Sequence, residues 1–250
     1  LNKMLPFDED EWELYHVAED FSESRNIAAD HPEKLAELIE MFDEEARKYN
    51  VYPLYDDMVT RIGAQQDRLF GDRKEFVYYS PGAVRIAEKA SAPVKNRSHD
   101  IVTTVDLQGG EQGVIVACGG MTGGYTMYLR DGRLVYDYNY LDGVHYTLTS
   151  PPLPTGPTEL KFNFIKTGEY AGRGELYVNG ELVDEVDMPE MHISTYSLAE
   201  TFDIGRDTGT QVDPTCGGDP FPFTGHLDKV VITLTGARLP PTETDIEFID

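Results

Sequence analysis

From about residue 76 onward, apolar and polar residues alternate with a period of two. This alternation is typical of half-buried β-strands. Dipeptides that tolerate the positive φ angles of tight hairpin turns separate several of the runs: Asp131-Gly132, Asp142-Gly143 and Asn179-Gly180. We expect strands at 82–87, 99–107, 112–118, 125–130, 133–140, 144–149, 158–166, 174–178, 182–188 and 226–235. Many short strands with almost no helix predict a mainly β protein, a two-sheet antiparallel β-sandwich or jelly roll.

The first fifty residues follow a different period. A continuous apolar stripe at helical spacing predicts one amphipathic helix: Leu35, Leu38, Ile39, Phe42, Ala46 and Tyr49. Asp30 is the predicted N-cap, with Pro32 in the first turn. Residues 12–17 alternate like a short strand, and residues 51–75 have broken periodicity, which is typical of a linker with room for a short helix near residues 58–62.

The net charge of −24 argues against two classes of partner. Nucleic acid and anionic membrane surfaces both require clustered cations, which this chain does not supply. No apolar run approaches the roughly 18 residues that span a bilayer. The chain starts at Leu1 rather than Met, so we expect a segment of a longer protein, with cytoplasmic and exported locations both open.

Two patterns could bind a ligand. Asp203, Asp207 and Asp213 could supply oxygen ligands to Ca²⁺ from one loop system, although Arg206 could instead pair with one of these aspartates. Tyrosines are frequent on the central strands, where such residues mostly pack across strands and sometimes line a sugar site. Tyr138, Arg206 and the three aspartates are therefore the candidate ligand-binding residues.

The other motifs in the sequence do not predict a metal-binding or phosphate-binding site. The six histidines are dispersed, and Cys118 and Cys216 lie far apart without zinc-ligand spacing, leaving a single disulfide open. The glycine-rich stretch 119–124 lacks the Lys-Ser/Thr of a phosphate-binding loop, so it predicts a wide hairpin turn.

The stretch 12–28 resembles the end of a sulfatase. That family commonly closes with a strand W-E-L-Y-(D/N)-L, a turn D-P-x-E-x-x-N-L-A and an amphipathic helix. Trp12-Glu-Leu-Tyr15 matches the strand, and the turn is matched by Asp20, Glu23, Asn26 and Ala28. Phe21 stands where Pro is usual and His16 where an acidic or amide residue is usual.

The β-rich remainder is similar to the extra C-terminal domain of a subset of large bacterial arylsulfatases, a concanavalin-like sandwich. The similar stretches are Lys95–His99, Asp131–Tyr136, Tyr138-Asn139, Leu176–Gly180, Glu200–Gly209 and Pro220–Gly225. The resemblance implies three regions: the strand and helix of a sulfatase small subdomain at 1–50, a linker at 51–75, and the concanavalin-like sandwich at 76–250.

The resemblance implies that the catalytic residues of the sulfatase reaction lie outside this chain. Sulfatases use a formylglycine made from a C/S-x-P-x-R motif beside a metal, implied to be Ca²⁺. Cys118 and Cys216 do not fit that motif, and Ser91-Ala-Pro-Val-Lys95 has Lys in place of Arg. We therefore expect no catalytic residue and no cofactor here, and the partner would be a sulfatase catalytic domain preceding Leu1.

The sequence and its resemblance lead to three alternative hypotheses about function. The first is the non-catalytic C-terminal part of an arylsulfatase-type sulfuric ester hydrolase, with the sandwich as an accessory or substrate-entrance domain. A carbohydrate-binding, lectin-like module for sulfated or neutral glycans is the first alternative, and a structural or dimerising domain is the second. Under the first, the apolar stripe of the helix should be covered by a sheet built mainly outside the sandwich.

We predict that this polypeptide alone does not hydrolyse aryl sulfates, because it lacks the nucleophile motif. A chromogenic aryl sulfate assay, with and without added Ca²⁺, measures this directly. Metal-dependent turnover by the purified chain would contradict the prediction.

Overall fold

A computed structural model describes residues 11–52, 54, 69–140, 143–168, 170–192, 195–218 and 220–236. The chain divides into two units, Leu1–Gly63 and Ala64–Asp250. The short helix predicted near residues 58–62 lies outside the described residues.

The first unit contains the predicted helix, α1 (Pro32–Lys48). Pro32 opens the helix, where its missing N–H costs nothing, and Arg47 and Lys48 lie in the last turn, near the negative end of the helix dipole. The predicted N-cap is wrong: His31 holds that position without a side-chain cap bond. Asp30 instead forms an ion pair with Arg25, with Nη2 and Oδ2 3.2 Å apart.

The strand predicted at 12–17 is wrong for this chain. Residues 11–16 have no regular secondary structure and residues 17–19 form a turn. Leu14 is nevertheless fixed, since its N–H donates to Asn26 Oδ1 (3.1 Å) and its carbonyl accepts from the Ile27 N–H (2.8 Å). A strand requires a neighbouring strand, and the described residues of this unit include none.

The apolar stripe of α1 is only partly covered. Ala46 is buried, whereas Leu38 is 37% exposed and Met41 52% exposed. Phe42 is half-buried and packs edge-on against Trp12, with ring centroids 5.5 Å apart. A covering sheet for this stripe stays a prediction.

The described residues of the second unit form twelve strands. They are β1 (Glu75–Tyr79), β2 (Ile86–Ala87), β3 (His99–Leu107), β4 (Gly113–Gly120), β5 (Gly123–Arg130), β6 (Arg133–Asn139), β7 (His145–Pro152), β8 (Gly156–Gly168), β9 (Ala171–Val178), β10 (Glu181–Met188), β11 (Thr201–Ile204) and β12 (Lys229–Leu234). The first sheet has the order β1-β12-β3-β8-β9-β10 and the second the order β2-β11-β4-β5-β6-β7. All neighbouring strands are antiparallel, which confirms the predicted concanavalin-like β-sandwich.

Two strands were not predicted, and two were predicted too long, since the strand predicted at 226–235 spans only Lys229–Leu234. β1 begins inside the predicted linker and pairs with β12, and β11 lies within the acidic stretch that predicted a calcium loop. The strand predicted at 82–87 is reduced to Ile86–Ala87. Pairing partners far along the chain decide these short elements, and local periodicity does not reveal them.

Alternate residues of the two sheets meet in one core. Ile101 and Leu160 from the first sheet and Met127 from the second are fully buried in it. Tyr136 stacks on Phe162 across the sandwich, with ring planes 6° apart and centroids 3.4 Å apart.

The second sheet is also buried on part of its outer face. Every residue of β4 is buried, so this strand shows no polar alternation. The outer face is covered by residues 205–218 and 220–222, which we call the covering segment. Its apolar contacts with the sheet form a second cluster of Val114, Ala117, Tyr128, Val135 and Cys216, against which Phe221 packs.

The glycine-rich stretch 119–124 forms a tight hairpin, so the predicted wide turn is wrong. Gly119 pairs with Gly124 and Gly120 with Gly123, leaving two residues at the turn. A Cβ on Gly124 would lie 2.1 Å from the Cys118 carbonyl oxygen, so only glycine allows this approach. The turns at Asp131-Gly132 and Asn179-Gly180 are confirmed, with positive φ at all four residues.

Both cysteines are free and buried. Cys118 belongs to the core between the sheets and Cys216 to the cluster on the outer face. The possible disulfide is therefore not formed. None of the helices in the described ranges is long and apolar enough to cross a membrane.

The buried side chain of His99 should make the free energy of unfolding depend on pH. Burial lowers the pKa of His99 from 6.5 to about 4. The unfolded chain therefore binds a proton between these values that the folded chain does not, and the free energy of unfolding falls as the pH falls through this window. From pH 7 to pH 5 we expect His99 to account for a loss of roughly 2 kcal/mol.

Urea denaturation of the wild type and of His99→Phe at both pH values measures this contribution. The variant should lose less stability on acidification than the wild type does. Replacing the exposed His226 by Gln is the matched control and should keep the wild-type difference. Equal losses in the wild type and His99→Phe would contradict the prediction.

Candidate functional site

The buried Asp203 carboxylate is satisfied by the protein itself. Oδ1 accepts the Arg85 N–H at 2.6 Å, and Oδ2 accepts the hydroxyls of Thr208 (2.7 Å) and Thr201 (2.9 Å). Asp203 thus ties β11 to the beginning of the covering segment.

Asp207 and Asp213 act on the covering segment in the same way. Asp207 accepts the Val212 N–H at 3.2 Å. Asp213 accepts the Tyr128 hydroxyl at 2.7 Å and both the N–H (2.8 Å) and the hydroxyl (2.7 Å) of Thr215. In the described part of the chain no three His, Cys, Asp or Glu residues are grouped so as to hold a metal ion. The three aspartates therefore do not form the common calcium ligand set that the sequence suggested.

The other two predicted ligand-binding residues lie elsewhere. Tyr138 is 1% exposed in the core, and its hydroxyl accepts the His192 N–H at 2.9 Å, so it does not reach a surface ligand. Arg206 is half-buried at the start of the covering segment.

A cavity of about 460 Å³ opens beside the end of the covering segment, on the outer face of the second sheet. Four buried residues form part of its lining: Tyr128, Val135, Asp137 and Asp213. Strand register places the lining side chains in rows. Tyr128 is opposite Val135, which is opposite Thr149. The face that points away from the core is thus the face that lines the cavity.

The next row contains Asp137 and Thr147, which are directly opposite each other on β6 and β7. The Thr147 hydroxyl donates to Asp137 Oδ1 at 2.6 Å, and Nδ1 of His145 lies 2.7 Å from Asp137 Oδ2. Burial raises the pKa of Asp137. The carboxylate orients both neighbours, because it accepts a hydrogen bond from each.

Two arginines line the other end. Arg130 and Arg133 face each other across the hairpin that joins β5 to β6. One guanidinium N–H of Arg130 donates to the Thr215 carbonyl, and Arg133 Nη1 donates to the Ser150 carbonyl at 2.8 Å. Both cations are therefore fixed in position by backbone oxygens.

The sequence did not single out these cavity residues, although it contains a signal for them. In strands β5 and β6, the positions that alternate with core residues carry Tyr128 and Arg130, then Arg133, Val135 and Asp137. This alternation shows which residues share a face. It does not show that the face stays open at one end.

No protein-family model and no curated protein matches the chain. Among solved structures it is similar to the CBM40 module of the Ruminococcus gnavus IT-sialidase bound to α2,6-sialyllactose (16% identity, 66% of this chain and 93% of that one, TM-score 0.48). It is also similar to the NanB sialidase of Streptococcus pneumoniae (13% identity, 70% and 28%, TM-score 0.45) and to domains LG4-5 of mouse laminin α1 (13% identity, 69% and 42%, TM-score 0.39). These values carry no information about what this chain binds. The names of these three structures do not include a sulfatase, so the sulfatase resemblance stays a prediction.

The Tyr128–Asp213 hydrogen bond should stabilise the wall of the cavity. We expect Tyr128→Phe to lower the free energy of unfolding by about 1–2 kcal/mol, because it removes one donor to a buried carboxylate. Thermal or urea denaturation measures this loss.

Tyr177→Phe is the matched control. Tyr177 also donates to a carboxylate, that of Glu175 (2.6 Å), but it is half-buried on the first sheet. Its loss should cost about 0.5 kcal/mol or less. Equal effects of the two substitutions would show that Tyr128 does not anchor the covering segment.

Proposed function

We propose that the sandwich is a carbohydrate-binding, lectin-like module that holds a glycan in the cavity on the outer face of the second sheet. The open cavity of about 460 Å³, lined by side chains from β5, β6, β7 and the covering segment, carries this proposal. Its volume lies in the range of roughly 300–1,000 Å³ that is typical of small-molecule sites.

The side chains around the cavity match the chemistry of a sugar. Sugar hydroxyls both donate and accept hydrogen bonds, so a site for them needs donors and acceptors on the same surface. Arg130 and Arg133 supply donors, Thr147 and Thr149 supply hydroxyls, and His145 supplies a ring nitrogen.

The site is ordered before a ligand arrives. Asp137 fixes His145 and Thr147, while backbone carbonyls fix the two arginines. A ligand therefore loses less binding free energy to the ordering of side chains than it would at a mobile surface. The buried Tyr128 and Val135 add an apolar area against which the face of a sugar ring can pack.

A second proposal keeps the role implied by the sequence resemblance, an accessory domain beside an arylsulfatase-type catalytic domain. The partial exposure of the α1 stripe at Leu38 and Met41 supports it, because an amphipathic helix is stable when that face is covered. The two proposals are compatible, since an accessory domain can hold the glycan that a neighbouring catalytic domain acts upon.

Filling the cavity should abolish binding. Thr149 is exposed on β7, where Phe fits the strand and its ring would occupy the cavity. Calorimetry with neutral and acidic oligosaccharides, with and without Ca²⁺, should show at least about a tenfold loss of affinity in Thr149→Phe. Thr104→Phe is the matched control: it changes an exposed strand threonine of the first sheet and should leave affinity within about twofold of wild type.

The outcomes separate the hypotheses. The absence of heat with every sugar would contradict the carbohydrate-binding proposal. If the chain then showed a concentration-dependent mass in solution, it would be a dimerising domain. Binding that Thr149→Phe leaves unchanged would place the glycan outside this cavity.

A further inference from the structure

We infer that the cavity selects glycans that carry an anionic group, a carboxylate or a sulfate ester, and that Arg130 and Arg133 bind this group. The inference rests on the proposed carbohydrate-binding function and adds the class of sugar. It concerns the hairpin end of the cavity, which holds both guanidinium groups.

Strand register places the two arginines opposite each other. Arg130 and Arg133 are register partners on either side of the two-residue turn Asp131-Gly132. Directly opposed residues of antiparallel strands have their side chains on one face, with Cβ atoms about 5 Å apart. Like charges in this arrangement repel each other, so an anion placed between them removes an unfavourable interaction.

The protein supplies little counter-charge at this position. Asp131 Oδ2 lies 3.8 Å from Arg130 Nε, but the Asp131 side chain is 89% exposed, so this pair is weak. Each arginine has five N–H donors, of which backbone carbonyl groups take one each. The remaining N–H groups of a planar guanidinium can donate to two oxygens of one anion, which is bidentate binding.

Two further carboxylates of the lining, Asp137 and Asp213, are bound by other protein groups. Asp213 accepts hydrogen bonds from Tyr128 and Thr215, and Asp137 is 1% exposed with Thr147 and His145 as its partners. In a chain with a net charge of −24, the hairpin end of this cavity thus contributes two cations that an anionic ligand can contact.

A free inorganic anion does not account for the whole site. The cavity extends from the two arginines past Thr149 to the His145–Asp137 pair. An anion bound at the arginines would not contact the hydroxyls of β7 or the imidazole of His145, so these groups can bind the rest of a larger ligand. An acidic sugar uses both ends, since its charged group meets the arginines and its ring hydroxyls meet β7.

Calorimetry on the full chain tests the inference with lactose, sialyllactose, sulfated lactose and inorganic sulfate. We expect one or both acidic sugars to bind at least about tenfold more tightly than lactose, and inorganic sulfate to bind weakly. Sialyllactose against sulfated lactose distinguishes a carboxylate from a sulfate ester. Raising NaCl should weaken the acidic sugars and leave lactose unchanged.

Substitutions locate the effect. Arg133→Gln and Arg130→Gln should each lower affinity for the acidic sugar about tenfold and affinity for lactose by a clearly smaller factor, because glutamine keeps a hydrogen-bond donor and loses only the charge. Arg133→Lys keeps the charge but loses the planar fork, so its affinity should lie between those of wild type and Arg133→Gln. Arg173→Gln makes the same charge change on β9 of the first sheet and should have no effect. Thermal denaturation of each variant shows whether it is folded. If Arg130→Gln does not fold, the comparison of Arg133→Lys with the wild type tests the inference instead.

The failures of the two proposals are distinguishable. If lactose binds as tightly as the acidic sugars, the inference is overturned while the carbohydrate-binding function stands. An acidic preference that survives both glutamine substitutions overturns the role of the arginines. If none of the sugars binds, the function and the inference both fall.

Discussion

The structure depends on three buried aspartates: Asp203 and Asp213 bind the covering segment to the second sheet, and Asp207 binds within the segment. The outer face of that sheet carries apolar residues such as Val114 and Val135, which must be covered to be stable. The segment that covers them has little regular structure, so its attachment needs specific bonds. Asp203, Asp207 and Asp213 provide these bonds to backbone N–H and hydroxyl groups. Because a buried carboxylate without donors is costly, each aspartate favours a single path of the chain.

The same arrangement explains why a cavity exists. The covering segment packs over β4 and reaches Tyr128, where Asp213 binds the tyrosine hydroxyl. Beyond that hydrogen bond, the outer-face residues Thr147 and Thr149 of β7 are exposed and line the open part of the cavity. The cavity wall is therefore built by the end of the cover on one side and by strands fixed in the sandwich core on the other. Its positions are set by strand register, which makes the site rigid.

Most of the sandwich could be predicted from the sequence, because period-two alternation and Asp-Gly or Asn-Gly turns are local signals. The errors arose where a distant contact decides the structure. β11 was missed because Asp203 lies in a stretch rich in aspartate and glycine, and the bonds it accepts from Arg85 and Thr208 cannot be read from spacing. The candidate site was missed for a related reason. Alternation places Arg130, Arg133 and Asp137 on one face, but the cover that leaves this face open comes from residues about 80 positions further along the chain.

The separation of the two free thiols by one sheet has a practical consequence. Burial raises the pKa of Cys118 to about 12 and that of Cys216 to about 12, so neither reacts readily while its surroundings stay closed. Cys216 belongs to the covering segment and packs against the outer face of the second sheet, whereas Cys118 lies in the core between the sheets. A thiol reagent therefore modifies Cys216 when the segment lifts and Cys118 only when the sandwich itself opens. The chain thus carries two internal probes of local and global opening, without any engineered label.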